Sequence, residues 1–254
     1  DGLVHFTWTG TSYYFTPGTS AAGTNQTFYD LKLTGPDSTR YYAVASENYL
    51  FVENDLTIVE GILQRYHDNT ETITVDGAVS IEDGGKLDWN TTNSSDKAAT
   101  FGSLTIADGG EYDATSGTTT ITDSDYTNVA IKNSGTFTHN NGTYKLNTPG
   151  NQRITGDITF YDLDIADGSN VYIYPAGGDI VVDNNLTIAS GVTLWTRFSS
   201  NTLTVHGLTN IVGTLDNTLN ATVTHNGLVT NLGTYKTGSG TNNFNGGVRN
   251  LGTF

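Results

Sequence analysis

Apolar residues recur along this chain in pairs separated by one residue, and each pair is followed two to four residues later by glycine. The pairs are Leu31/Leu33, Leu56/Ile58, Val79/Ile81, Leu104/Ile106, Val129/Ile131, Leu163/Ile165 and Leu186/Ile188, and the intervals between first members are 25, 23, 25, 25, 34 and 23. The glycines are Gly35, Gly61, Gly84, Gly109, Gly135, Gly168 and Gly191. An apolar–polar–apolar triplet is the alternation of a short, half-buried strand, and glycine supplies the positive φ of a tight corner. Strand, corner and return at a near-constant interval describe a coil stacked on itself, each turn burying its apolar edge against the next. The pattern predicts an all-β fold, a single-stranded parallel β-helix (β-solenoid) of about ten turns of 19–25 residues. A β-sandwich also has short, regularly spaced strands, but its strands have no reason to resemble one another at this interval.

The rhythm persists in altered form to the last residue. Gly207–Leu215, Gly227–Tyr235 and Gly246–Phe254 share the template G-x5-G-T-apolar, at offsets of 20 and then 19 along the chain. A longer echo is also present. Phe28-Tyr-Asp-Leu-Lys-Leu33 returns as Phe160-Tyr-Asp-Leu-Asp-Ile165, Asp55-Leu-Thr-Ile58 as Asn185-Leu-Thr-Ile188, and Ile73-Thr-Val75-Asp-Gly77 as Leu203-Thr-Val205-His-Gly207. Their offsets of 132, 130 and 130 fit a copied block of several turns. The long step from Val129 to Leu163 holds Asn140-Asn-Gly-Thr-Tyr144 and Pro149-Gly150, and predicts either a projecting loop of about ten residues or a short, degenerate turn. Residues 1–27 lack the repeat and carry Trp8, Tyr13, Tyr14 and Phe15, as expected of a cap or connecting segment. The solenoid is expected over 28–254. Phe254 falls in mid-template, so more polypeptide or another subunit is expected to follow.

Composition narrows the function classes. Hydrophobic residues make up 35% and charged residues 15%, both low for a globular chain. Only 4 prolines and an aromatic content of 11% argue for ordered β-structure over disorder. The net charge of −15 and the scattered basic residues argue against nucleic acid and anionic membranes as partners. With no cysteine there are no disulfides or thiolate metal sites. No apolar run reaches the length of a bilayer-spanning helix. Methionine is absent too, so the chain is expected to be a processed product or a portion of a longer one. Asn-x-Ser/Thr sequons stand at Asn25, Asn90, Asn93, Asn141, Asn185 and Asn220, a number expected by chance in an Asn- and Thr-rich chain.

Candidate chemistry is sparse. The middle residue of each triplet should face outward, giving Lys32, Thr57, Ser80, Thr105, Ala130, Asp164 and Thr187. That column is too mixed for a regular threonine array and reads as a solvated face. The residues before three successive repeat glycines are Glu60, Asp83 and Asp108. In register they would stack about 5 Å apart and attract a cation, with Ca²⁺ the candidate; the competing reading is that acidic residues before glycine serve the turn. Of the five histidines, His206 and His225 fall one interval of the C-terminal template apart and are expected to stack. Trp89 and Trp195 follow their repeat glycines by several positions and are the candidate glycan contacts, because aromatic faces stack on sugar rings. A buried stacking role for both is the alternative.

Over residues 28–254, the period and the motifs Asn-Leu-Thr-Ile-x-x-Gly and Asn-Leu-Gly-Thr resemble right-handed parallel β-helix proteins, a class of surface adhesins, phage tailspikes and polysaccharide-cleaving enzymes. The polygalacturonase-like members carry Asn-Thr-Asp, Asp-Asp and Arg-Ile-Lys motifs, none of which occurs here. Lyase-like members set a calcium cluster against a basic residue, and Lys86 alone lies near Glu60, Asp83 and Asp108 in sequence. The resemblance therefore implies a non-catalytic extracellular or virion-surface module that projects or attaches, with a cell-surface glycan or other subunits as partners. A polysaccharide-processing enzyme whose paired carboxylates assemble across turns, and a self-assembling filament or surface-layer subunit, are the alternatives.

Overall fold

The computed structural model describes residues 2–8, 10, 13–15, 27–35, 37, 39, 41–44, 49–65, 72–90, 97–123, 129–148, 150–166, 169–173, 178–197, 201–219 and 221–254. The sequons at Asn25, Asn93 and Asn220, with His67, Pro149, Asp167 and Gly168, lie outside these. Every described element is a strand, every described strand pairing is parallel, and the chain folds as a parallel β-solenoid. It divides into two compact units, Asp1–Thr120 with Asn133–Gly142, and Ile121–Lys132 with Thr143–Phe254.

In the first unit the predicted triplets stack in register. Val4 pairs with Leu31, Leu31 with Leu56, Leu56 with Val79, and Val79 with Leu104, with their i+2 partners Phe6, Leu33, Ile58, Ile81 and Ile106 alongside. Leu31 through Ile106 in this column are buried, while Lys32, Thr57, Ser80 and Thr105 between them point outward in one file. A second column stacks Tyr42, Leu63, Leu87, Tyr112 and Phe137, and a third stacks Phe28, Val52, Val75 and Phe101. The strand Leu56–Arg65 runs from the first column into the second, and Gly61 makes the bend at φ 87°. Gly84 and Gly109 repeat this left-handed corner one and two turns on, at φ 81° and 77°.

The second unit uses the same three-column plan. One column runs Tyr144, Leu163, Leu186, Thr209, Val229 and Val248, another Phe160, Val182, Val205, His225 and Phe244, and the third Gln152, Val171, Leu194, Leu215 and Tyr235. The sequence echo corresponds to a repeated corner. Asp30 Oδ1 accepts hydrogen bonds from Asn54 Nδ2 (2.7 Å) and the Asp55 backbone N–H (3.1 Å). Asp162 Oδ1 accepts from Asn184 Nδ2 (3.0 Å) and the Asn185 N–H (2.9 Å). One turn later a β-carbon on Gly77 would collide with the Asn54 carbonyl, and one on Gly207 with the Asn184 carbonyl.

Two expectations are corrected. First, Val129/Ile131 does not share a column with Leu163/Ile165. Within the second unit Val129 and Ile131 pair with Arg153 and Ile154, whereas Leu163 stacks on Tyr144 of the turn before it. The long step is thus filled by paired strands, including Thr143–Leu146, Gly150–Thr155 and Ile158–Phe160, and its described residues hold no projecting loop of the expected size. Second, Ala130 is buried, because a bulge between Val129 and Ile131 turns it inward. Leu3–Thr7 pairs in register with Asp30–Thr34, and Tyr13–Phe15 with Tyr42–Val44, so these strands of the N-terminal segment join the coil.

Candidate functional site

The three acidic residues proposed as a cation column sit at the corner between the first and second columns of the first unit. Their backbones follow one another from turn to turn, with Gly61 N–H donating to Gly84 O (3.1 Å) and Gly84 N–H to Gly109 O (3.2 Å). The side chains do not converge. Glu60 Cγ lies beside Gly84, and the Asp83 carboxylate folds over Gly109, each covering the glycine of the next turn. Among the described residues no group of three His, Asp or Glu side chains is arranged to hold a metal ion, so the calcium expectation for Glu60, Asp83 and Asp108 finds no coordinating geometry.

The two tryptophans differ. Trp89 is wholly buried, its ring removed from any external ligand, so its place as a glycan contact is corrected to one in the core. Trp195 is half-buried on the outer face of the strand Thr193–Arg197. Its ring stacks on Tyr172 of the preceding turn, with centroids 4.4 Å apart and planes 6° from parallel. The register places Arg153, Tyr172, Trp195, Asp216 and Lys236 in one outer file. Tyr172 Oη donates to Asn151 Oδ1 at 3.3 Å, and Lys236 Nζ lies 3.1 Å from Asp216 Oδ2. Burial alone would raise the Asp216 pKa, but hydrogen bonds from Thr218 and Lys236 outweigh it and hold the carboxyl below its ordinary range. The file thus offers a half-buried, mutually stacked aromatic pair flanked by charges of both signs.

Two further clusters carry polar chemistry that the linear sequence does not announce. On the outer face of the first unit, Lys86 Nζ lies 2.5 Å from Asp113 Oδ2, 3.5 Å from Glu111 Oε2 and 3.9 Å from Asp88 Oδ2. Asp88 and Asp113 are direct Cα partners on adjacent turns. Burial pushes the Asp88 carboxyl up; the Asn90 N–H bond acts against this, and the Asp113 charge adds to it. For Lys86, burial acts to lower the pKa, but its hydrogen bond to Asp113 and the surrounding carboxylates produce a net rise. The readable signal was the alternation Lys-Leu-Asp at 86–88 over Glu-Tyr-Asp at 111–113, one turn further along the chain.

The second cluster is inside the second unit. His206 and His225 do not stack, because Val205, not His206, is the partner of His225. This one-residue offset leaves His206 exposed beside Asp183 (Nδ1 to Oδ1, 3.1 Å) and puts His225 in the core. There its Nδ1 is 2.8 Å from Thr209 Oγ1 and its Nε2 3.2 Å from Tyr235 Oη. Tyr235 Oη donates to Asn242 Oδ1 (2.9 Å), Asn217 Nδ2 donates to the same oxygen (2.8 Å), and Thr196 Oγ1 donates to Asn217 Oδ1 (2.7 Å). Burial lowers the His225 pKa to about 4 and raises that of the Tyr235 phenol.

Of the sequons, Asn141 is exposed at a turn with φ 61°, whereas Asn185 is committed, its Oδ1 accepting the Leu208 N–H at 3.0 Å. No family model matches the chain, and no curated protein or solved structure matches it either.

Proposed function

We propose that this chain is a non-catalytic structural or adhesion module of an extracellular or virion surface, of adhesin or tailspike-fibre type, which projects or attaches and contacts glycans through its outer face. The observation that carries the reading is the use made of the corner polar groups. Asp30, Asp55, Asp162 and Asn185 each accept a backbone N–H of the following turn, so side chains that could do surface chemistry serve turn-to-turn cohesion. A coil cross-linked in this way resists bending, which suits a spacer. The candidate glycan contact is the outer file around Tyr172 and Trp195, where a partly exposed aromatic pair stands beside amide and hydroxyl groups. The test is to pass the purified chain over immobilised neutral and acidic polysaccharides, with and without Trp195→Ala. Retention that drops in the variant, with no new reducing ends released, supports the reading. Release of reducing ends overturns it.

A second reading, a polysaccharide-processing enzyme, is favoured by the Asp88/Asp113 pair. Glycoside hydrolysis uses two carboxyl groups, one kept protonated by its surroundings, and the raised pKa of Asp88 fits the acid. Under this reading any cleaving activity is abolished by Asp88→Asn and by Asp113→Asn separately.

A further inference from the structure

His225 stands in a column of otherwise apolar side chains. It follows Phe160, Val182 and Val205 in its column and is followed by Phe244, whose ring stacks on the imidazole at 5.4 Å and 10°. Its hydrogen bonds fix one proton arrangement. The single phenolic proton of Tyr235 goes to Asn242 Oδ1, an acceptor already shared with the Asn217 amide, so Tyr235 Oη must accept from His225 Nε2–H. Nδ1 is then the bare nitrogen and accepts from the Thr209 hydroxyl. The neutral ring has both nitrogens satisfied. A second proton would set Nδ1–H against the hydroxyl that had been donating to it, and would place a full charge in a site with no carboxylate. Tyr235 is the one titratable side chain among the described residues in contact with this ring. The charged groups on neighbouring strands, Asp216 with Lys236 and Asp183 with His206, are paired with each other on the outer face.

We infer that Thr209, His225, Tyr235 and Asn242 form an acid-sensitive latch, which holds the turns between Thr202 and Phe244 closed at neutral pH and loosens them in mild acid. The direction follows from linkage. In the opened chain this histidine takes up a proton near pH 6.5, whereas in the closed coil it does so near pH 4. The latch therefore contributes fully above about pH 6.5, loses strength as pH falls toward 4, and changes no further below that.

The experiment measures opening of the backbone amides of Thr222–His225 and Thr234–Thr237 by hydrogen exchange, corrected for the intrinsic pH dependence, in the wild type and in His225→Phe. A side-chain NMR titration of His225 in the wild type accompanies it. The opening constant is expected to rise by about 100-fold between pH 7 and pH 4 in the wild type, as the opened chain protonates near pH 6.5 and the closed coil only near pH 4. Little of this rise should remain in His225→Phe, and all of it in His206→Asn. An equal rise in His225→Phe overturns the latch. So does a wild-type His225 that titrates near 6.5, a result that stands even where the variant fails to fold.

Discussion

The two units build the same aromatic corner with different chemistry. In the first, Phe101 meets Tyr112 edge-on (6.0 Å, 65°), Val79 lies one rung before Leu104 in the adjoining column, and Tyr112 Oη approaches Thr119 Oγ1 at 3.4 Å. In the second, His225 meets Tyr235 edge-on (5.8 Å, 68°), Thr209 replaces valine one rung before Val229, and Tyr235 Oη reaches Asn242 at 2.9 Å. Ring geometry is shared between them while polarity is not. The coil fills this corner with apolar bulk, valine on some turns and a ring on others; it does not need a nitrogen. What the second unit gains is a network directional enough to fix a tautomer, and with it a dependence on pH that the first unit lacks at this position.

The strongest way to break the likeness is at the glycines that precede this corner. Gly207→Ala and Gly77→Ala each drive a β-carbon into a backbone carbonyl of the previous turn, and each is expected to cost about 3 kcal/mol in a denaturant titration. Unequal costs would mean that the two corners are not equivalent. Next comes transplantation. Phe101→His places an imidazole beside Tyr112 with Val79 in the position of Thr209, so one ring nitrogen has no partner, and a loss of about 2–4 kcal/mol is expected. Adding Val79→Thr should recover about 1 kcal/mol of it. A smaller contrast separates the tyrosines. Tyr235→Phe removes both the acceptor for His225 and the donor to Asn242 and should cost about 2 kcal/mol, against under about 1 kcal/mol for Tyr112→Phe, whose hydroxyl contact to Thr119 is long.

The parallel coil was legible because burial is periodic. Leu31, Leu56, Val79 and Leu104 recur at nearly the turn length, and their outward neighbours follow by alternation. Identity of column was not legible. All three faces of a turn carry the same apolar–polar–apolar pattern, so nothing local distinguishes Val129, which pairs with Arg153, from Leu163, which stacks on Tyr144. Individual side-chain placements differ from the expected ones for related reasons. A bulge at Val129/Ile131 inverts Ala130, and a one-residue offset sends His206 outward and His225 inward. Trp89 continues the inward alternation of Gly85 and Leu87 just past the strand Gly85–Asp88, so its burial was legible from alternation with Leu87, a signal that the glycan reading set aside. Lys86 and Asp113 come together only through register across turns.

The smallest expected effect tests what the repeated corner requires. In the first unit Asp55 Oδ1 accepts the Ala78 N–H at 2.8 Å, and in the second Asn185 Oδ1 accepts the Leu208 N–H at 3.0 Å. The same bond is made by a carboxylate in one place and by an amide in the other, so the corner calls for an oxygen acceptor and not for a charge. Asp55→Asn should therefore change the stability read from a denaturant titration by no more than about 0.5 kcal/mol, while Asp55→Ala, which strands the Ala78 N–H, should cost about 1 kcal/mol. A loss on Asp55→Asn as large as that on Asp55→Ala would show that charge matters here, and that Asn185 keeps its corner by some other contact.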